Sequence, residues 1–431
     1  MMPLAPAAGP GLAPVRSTLD NGVALLAKET RKTPAVAINL AVRAGSICDP
    51  AGLPGATYLL SRVIDRGTAK LSADAIAEEI DGRGVSLSFT VTRHLFSVVC
   101  TCLARDFEAI LALLGDVLMS PTVPAHELAT RKGEVVTAIR QDDDNPAVRA
   151  VEGVMAMLYG EEHPYGRRAK GSVEAVEALT RERLLALHAD RFRPSELSAV
   201  IVGDVDPGRA LDAAARVFGA WRAAKPEPIR LPPVERSSAR RRRVIPMMNK
   251  AQADIAYGFT TITRTDPAYY SYWLMNVALG QYALGGRLGD SIRERQGMAY
   301  SVSSTLDANV LKGPLIIRAG VSPANVERAT RSIDEELVRL RQDGLADKEL
   351  QDMKQYLVGS MPRALETNAG IANFIQAMEF FGFGLDYDVR LPGLLRAVTL
   401  DEVHEAARRA LDPDRATIVV AGPYTETGNR G

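Results

Sequence analysis

Lys225-Pro-Glu-Pro-Ile-Arg-Leu-Pro-Pro233, followed by Ser237-Ser-Ala-Arg-Arg-Arg-Arg243, divides this chain in two. Each proline removes a backbone donor and locks φ, so the stretch cannot hold a helix. Ala223 to Arg243 reads as a linker joining an N-terminal half, 16–222, to a C-terminal half, 244–431. Residues 1–15, rich in Pro, Ala and Gly, read as a flexible tail. The four arginines of the linker stand alone in a neutral chain. They read as a solvated segment rather than a nucleic-acid patch.

Working outward, the two halves run through one programme of elements. Thr18-Leu-Asp-Asn-Gly22 is a hairpin turn near the start. Val36-Ala-Ile-Asn-Leu-Ala-Val42 alternates as a strand and is answered by Gln252-Ala-Asp-Ile-Ala-Tyr-Gly-Phe259. A helix in 52–66 is answered by one in 269–279. A second helix ending near Gly84 is answered by one ending at Gly297. Strands in 85–103 are answered by 300–305 and 314–318. The helical spacing of Phe107, Ile110, Leu111, Leu114 and Leu118 returns in Val326, Ala329, Ile333, Leu337 and Leu340. The helix at 125–141 is answered by 345–359. Leu197-Ser-Ala-Val-Ile-Val-Gly203 is answered by Thr417-Ile-Val-Val-Ala-Gly422. The order predicts an α+β fold of two pseudo-repeated halves, each a mainly antiparallel sheet with helices packed on it.

The chain has 431 residues, with 52 basic and 52 acidic side chains, so no net field points to nucleic acid. No apolar run is long enough for a membrane span. The three cysteines, Cys48, Cys100 and Cys102, build neither a disulfide framework nor a local zinc site, which fits a reducing compartment. The N-terminus is a poor signal peptide, so a cytoplasmic location is expected, or a periplasmic one if a native signal has been removed.

The five histidines, His94, His126, His163, His188 and His404, never fall three or four residues apart. No H-x-x-E-H, H-E-x-x-H, C-x-x-C, G-x-S-x-G or phosphate-loop spacing is present. His163-Pro-Tyr-Gly166 reads as a turn whose histidine caps or packs. Asp142-Asp143-Asp144 reads as a solvated helix end. Ile292-Arg-Glu-Arg-Gln-Gly-Met-Ala-Tyr300 reads as a last helical turn, a glycine stop and the start of a strand. In that strand Tyr300 and Val302 are expected on one face, with the small residues on the other. Taken alone, Arg293 is a cation favoured at a helix end and Tyr300 a strand aromatic.

Several stretches together resemble the pitrilysin/insulysin family of zinc metallopeptidases, above all its short-chain two-subunit bacterial members and the mitochondrial processing peptidase. They are the Leu19–Gly22 hairpin and Ala44-Gly45-Ser46 before a helix ending at Gly67-Thr68. His163-Pro-Tyr-Gly166 with Gly171, Arg193-Pro194 before Val202-Gly203-Asp204-Val205, and 292–300 complete the set. The resemblance runs over about residues 16 to 423. Active members carry H-x-x-E-H on the helix before Gly-Thr, two histidines binding zinc and the glutamate acting as base. Counted back from Gly67-Thr68, Tyr58 stands for the first histidine, Ser61 for the base and Arg62 for the second histidine. Gln141 stands for the third ligand, while the companion acid is retained as Glu134.

The resemblance therefore implies a chain that holds no metal and is inactive alone. It implies a homologous zinc-binding subunit as partner, Zn2+ in that partner and a peptide substrate, while the neutral composition points to no nucleic-acid or membrane partner. Arg293 and Tyr300 match the pair that the non-zinc half supplies in trans, with Tyr300 on the substrate carbonyl and Arg293 on the substrate backbone. A homodimer in the partner's absence stays open. So do a silent assembly subunit like respiratory-complex core proteins and a substrate-binding subunit working through the glycine-rich stretch Gly285, Gly286 and Gly289.

Overall fold

A computed structural model describes residues 11–282 and 286–425. The first ten residues of the expected tail and Gly285 of the glycine-rich stretch lie outside them. Two compact units form. One takes residues up to 139, 168–230 and 361–391, and the other takes 140–167, 231–360 and 392 onward. Among the described residues no helix is long and apolar enough to cross a membrane.

The first unit holds a six-stranded sheet. Its strands are β1 (Val15–Thr18), β2 (Ala24–Glu29), β3 (Ala35–Val42), β4 (Ser86–Val91), β5 (Phe96–Leu103) and β6 (Leu197–Gly203). They lie in the order β1-β2-β6-β3-β5-β4, with β2 and β6 parallel and every other pair antiparallel. Val36, Ile38, Leu40 and Val42 share one face and enter the core with Leu59, Leu60 and Val63 of the helix Ala56–Val63. That helix forms because it is capped from a distance. The Asp49 carboxylate accepts the N–H of Gly55 and of Thr57 and the Thr57 hydroxyl, each at 2.7 Å. Asp49 is itself only 8% exposed, so these bonds are shielded from water.

The second unit repeats this arrangement with β7 (Arg241–Pro246), β8 (Ala253–Thr260), β9 (Ala299–Leu306), β10 (Pro314–Val321) and β11 (Thr417–Gly422). The order β7-β11-β8-β10-β9, with only β7 and β11 parallel, copies β2-β6-β3-β5-β4 strand for strand. The α+β repeat is thus present in strand order and in strand sense. Equivalent glycines close both copies. A Cβ on Gly203 would lie 2.2 Å from the Ala35 carbonyl oxygen, and one on Gly422 would lie 2.6 Å from the Ala253 Cα. Each terminates its strand where the neighbouring strand begins.

Both units also take a helix from the other side of the linker. Pro146–Tyr159 lies on β8 and β11, where Ala150, Val154 and Met155 meet Ala256, Ile316, Val419 and Ala421. Asn368–Phe381 lies on β3 and β6. There Asn39 donates to Asn373 at 2.8 Å and Asn368 donates to the Ala35 carbonyl at 2.9 Å. A sheet has two faces to cover, and here one covering helix of each sheet crosses over.

The arginine run is partly strand rather than all linker, although Arg240, Arg241 and Arg243 are exposed as expected. Arg241–Arg243 open β7. Arg240 forks onto Asp334 at 3.0 and 2.8 Å, and Arg242 reaches Glu327 at 2.6 Å. Once the segment pairs with β11, these long side chains lie along carboxylates of the helix Val326–Asp343.

His94 is 6% exposed, and burial, with Arg93 and Arg43 nearby, pushes its pKa down to about 4. The folded chain therefore refuses a proton that the unfolded chain accepts near pH 6.5. Stability is flat above that value and falls as pH drops towards 4. Between pH 7 and pH 5 the loss from this group is roughly 2 kcal/mol. Urea midpoints at the two pH values check this, and His94→Gln should flatten the slope.

Candidate functional site

Tyr58, Ser61 and Arg62 all lie on the helix Ala56–Val63. Apolar spacing turns Leu59, Leu60 and Val63 inward, which leaves Tyr58 half-buried and Arg62 exposed. Ser61 is 3% exposed and its hydroxyl donates to the Tyr58 carbonyl at 2.7 Å, so it is already satisfied. Glu134 and Gln141 follow on the helix Ala125–Asp143. Glu134 is held by Arg131 at 2.5 Å, and Gln141 is exposed in the part of the helix that belongs to the second unit.

Zinc does not fit these residues. It takes neutral imidazole, thiolate or carboxylate, whereas positions 58, 61 and 62 offer a phenol, an engaged hydroxyl and a guanidinium. Among the described residues no group of three His, Cys, Asp or Glu could hold a metal ion. Three histidines have structural duties. His188 donates to the Leu118 carbonyl at 2.8 Å and His404 to the Arg341 carbonyl at 2.9 Å. His163 accepts the Tyr165 N–H on Nδ1 at 3.0 Å and donates through Nε2 to the Pro232 carbonyl at 3.3 Å. It is the capping histidine of a turn, and burial lowers its pKa.

In the second unit the stretch 292–300 has a firm scaffold. Gly289–Arg295 is a wide, π-type turn of helix. Leu288 and Ile292 are fully buried ahead of Gly297, and Met298 and Ala299 are buried after it. Gly297 takes φ +61°, donating to the Arg293 carbonyl at 3.0 Å while Met298 donates to that of Ile292 at 3.0 Å. This is a Schellman-like closure widened by one residue. Arg293 stays partly exposed, its nearest carboxylate being the adjacent Glu294 at 3.4 Å.

Tyr300 departs from the strand pattern expected of it. On β10, Gly320 faces Ser301 and Val321 faces Ala299, so Tyr300 is an extra residue with no opposite number. It is the bulged residue of an edge strand, and a bulge re-aims its side chain. Val302 is 5% exposed whereas Tyr300 is 90% exposed, so the two do not share a face. The Tyr300 hydroxyl has no partner among the described residues, and no bond joins it to Arg293. Sequence reasoning did not single out Asp49. The only local sign of it is an acid in a Pro/Gly turn before the helix.

Two α+β units of matching strand order, one with the helix Ala56–Val63 and the other with the exposed Arg293 and Tyr300, define the class of fold. The family description "Insulinase (Peptidase family M16)" matches residues 24–169, and "Peptidase M16 inactive domain" matches residues 178–357. The chain belongs to the insulinase family, peptidase family M16. It is 26% identical over 417 residues to an uncharacterized zinc protease of Streptomyces coelicolor, covering 95% of this chain and 90% of that one. It is 27% identical to an uncharacterized zinc protease of Mycobacterium bovis, covering 98% and 95%. Among solved structures, a peptidase M16 inactive domain from Pseudomonas fluorescens aligns with a TM-score of 0.87 at 26% identity, covering 96% of this chain and 98% of that one. A protease from Helicobacter pylori shares the fold with a TM-score of 0.89 at 16% identity, covering 95% and 99%.

Proposed function

We propose that this chain is the non-zinc subunit of a heterodimeric metalloendopeptidase and supplies Arg293 and Tyr300 to the active site of a homologous zinc-binding partner. The observation that carries the proposal is Tyr300. An aromatic side chain 90% exposed on a strand bulge, with an unpartnered hydroxyl, is poised to meet something outside its own unit. The absence of usable ligands at 58, 61, 62 and 141 is consistent with a chain whose contribution is made to another's metal. The partner would provide the zinc chemistry. Tyr300 would donate its O–H to the carbonyl oxygen of the bound peptide as charge develops there, a contribution on the order of 3 kcal/mol. Arg293 would hold a substrate carbonyl with its guanidinium fork.

The test is reconstitution. The isolated chain should bind no stoichiometric zinc by elemental analysis and cleave no peptide. Mixed with a homologous chain bearing H-x-x-E-H, it should raise peptide hydrolysis well above that of the partner alone. A partner equally active without this chain would overturn the proposal. It would favour the silent assembly role instead.

A further inference from the structure

A pocket of about 660 Å3 opens in the first unit between the loop 47–53 and the helix Arg181–Arg191, with Ile229 of the linker as a further wall. Arg183, Ala186, Leu187, Asp190 and Arg191 line it from the helix. Their spacing of three and four residues puts them on one helical face. Ala186 is exposed and small, which leaves the hollow open on that face. Ile47, Leu53, Leu187 and Ile229 make its walls apolar. Cys48 adds to them. It is 8% exposed, and burial pushes its thiol up to about 12, so it lines the pocket as a neutral group.

All but one of the charges around the pocket are engaged. Asp49 accepts from Gly55 and Thr57 at the start of the helix Ala56–Val63. Arg191 is fixed between Asp190 at 2.8 Å and the Glu227 carbonyl, to which it donates at 2.8 Å. The second of these bonds also ties the linker to this face. Arg183 is exposed and has no carboxylate within ion-pair distance among the described residues. It stands in the first turn of its helix, where the dipole disfavours a cation that no anion joins. Asp49 and Asp190 would repel a dianion from the pocket. A single carboxylate suits Arg183, because a guanidinium fork binds it through two hydrogen bonds. The apolar walls suit a hydrocarbon body behind that carboxylate.

We propose that this pocket binds a small apolar monocarboxylate, with the carboxylate on Arg183 and the hydrocarbon against Ile47, Leu53, Leu187 and Ile229. Burial of the hydrocarbon supplies most of the affinity, and Arg183 selects the acid over the neutral analogue. The walls come from three separate segments of the chain, so an occupant braces the linker at Ile229 against the helix Arg181–Arg191 and the loop 47–53. Every residue involved lies in the first unit, and none is part of the Arg293 and Tyr300 pair. The inference therefore stands apart from the proposed function.

Calorimetric titration of the full chain with decanoate tests it. Decanol keeps the hydrocarbon and lacks the charge, and acetate does the reverse. Decanoate should bind saturably at one site, and decanol and acetate about tenfold more weakly or worse. Arg183→Ala should bring decanoate down to the level of decanol. Ala186→Phe, which fills the hollow, should abolish binding of both. Because Arg183 and Ala186 are exposed, both variants should melt as the wild type does. In the wild type, decanoate should slow amide hydrogen exchange over 47–53 and at Ile229. No saturable binding, equal affinity for decanoate and decanol, or affinity that survives Ala186→Phe would each overturn the inference. Slowed exchange confined to other elements would do the same. So would a short peptide ending in a leucine carboxylate that bound more tightly than decanoate, since the pocket would then serve a protein C-terminus.

Discussion

Tyr300→Phe should lower kcat of the reconstituted heterodimer by roughly ten- to a thousandfold while leaving the fold of this chain untouched. The substitution removes one hydroxyl and nothing else. With the side chain 90% exposed and its hydroxyl unpartnered, no bond inside the chain is lost. Melting temperature and hydrogen exchange of the isolated subunit should therefore match the wild type. The expected loss appears only where the phenol meets developing charge on the substrate. It should fall on kcat and kcat/KM together, as for an interaction made in the transition state. Arg293→Ala should differ by raising KM as well, since a guanidinium on the substrate backbone also binds the ground state. Unchanged turnover with Tyr300→Phe at saturating subunit would remove the catalytic role assigned to it. Any activation that remained would then be substrate handling.

Asp49→Ala should have the largest effect on stability. It strips three hydrogen bonds of 2.7 Å from the start of the helix Ala56–Val63. The Gly55 and Thr57 donors would stay buried without an acceptor, and hydrogen bonds to a charged group are among the stronger ones. A loss of roughly 3–5 kcal/mol is expected, read as a lower urea midpoint at unchanged slope. Asp49→Asn keeps one carbonyl oxygen and should lose about half as much. A loss below about 1 kcal/mol for the alanine variant would mean that water replaces the carboxylate.

Much of the fold was legible because it depends on short-range pattern. Strand β3 follows from the alternation at 36–42, and its counterpart β8 from 252–259. The turn at His163 followed from the Pro-Gly pair around Tyr165, and the helix stop at Gly297 from its tolerance of positive φ. Other features depend on distant partners. Asp49 caps donors six and eight residues ahead, around a turn whose path no periodicity records. The ion pairs of Arg240 and Arg242 were not legible because Asp334 and Glu327 lie more than eighty residues away in the chain. The helices Pro146–Tyr159 and Asn368–Phe381 each cover a sheet made mostly by the other side of the linker, and nothing in their own sequences says which sheet that is.

By itself the sequence determined that the α+β unit occurs twice, and that positions 58, 61, 62 and 141 carry no zinc ligand. Both follow from the order and chemistry of residues along the chain. Only the tertiary structure decided that Tyr300 leaves the strand pattern and stands in solvent. A bulge exists only relative to the strand beside it, and β10 offers one residue fewer than β9 at that point.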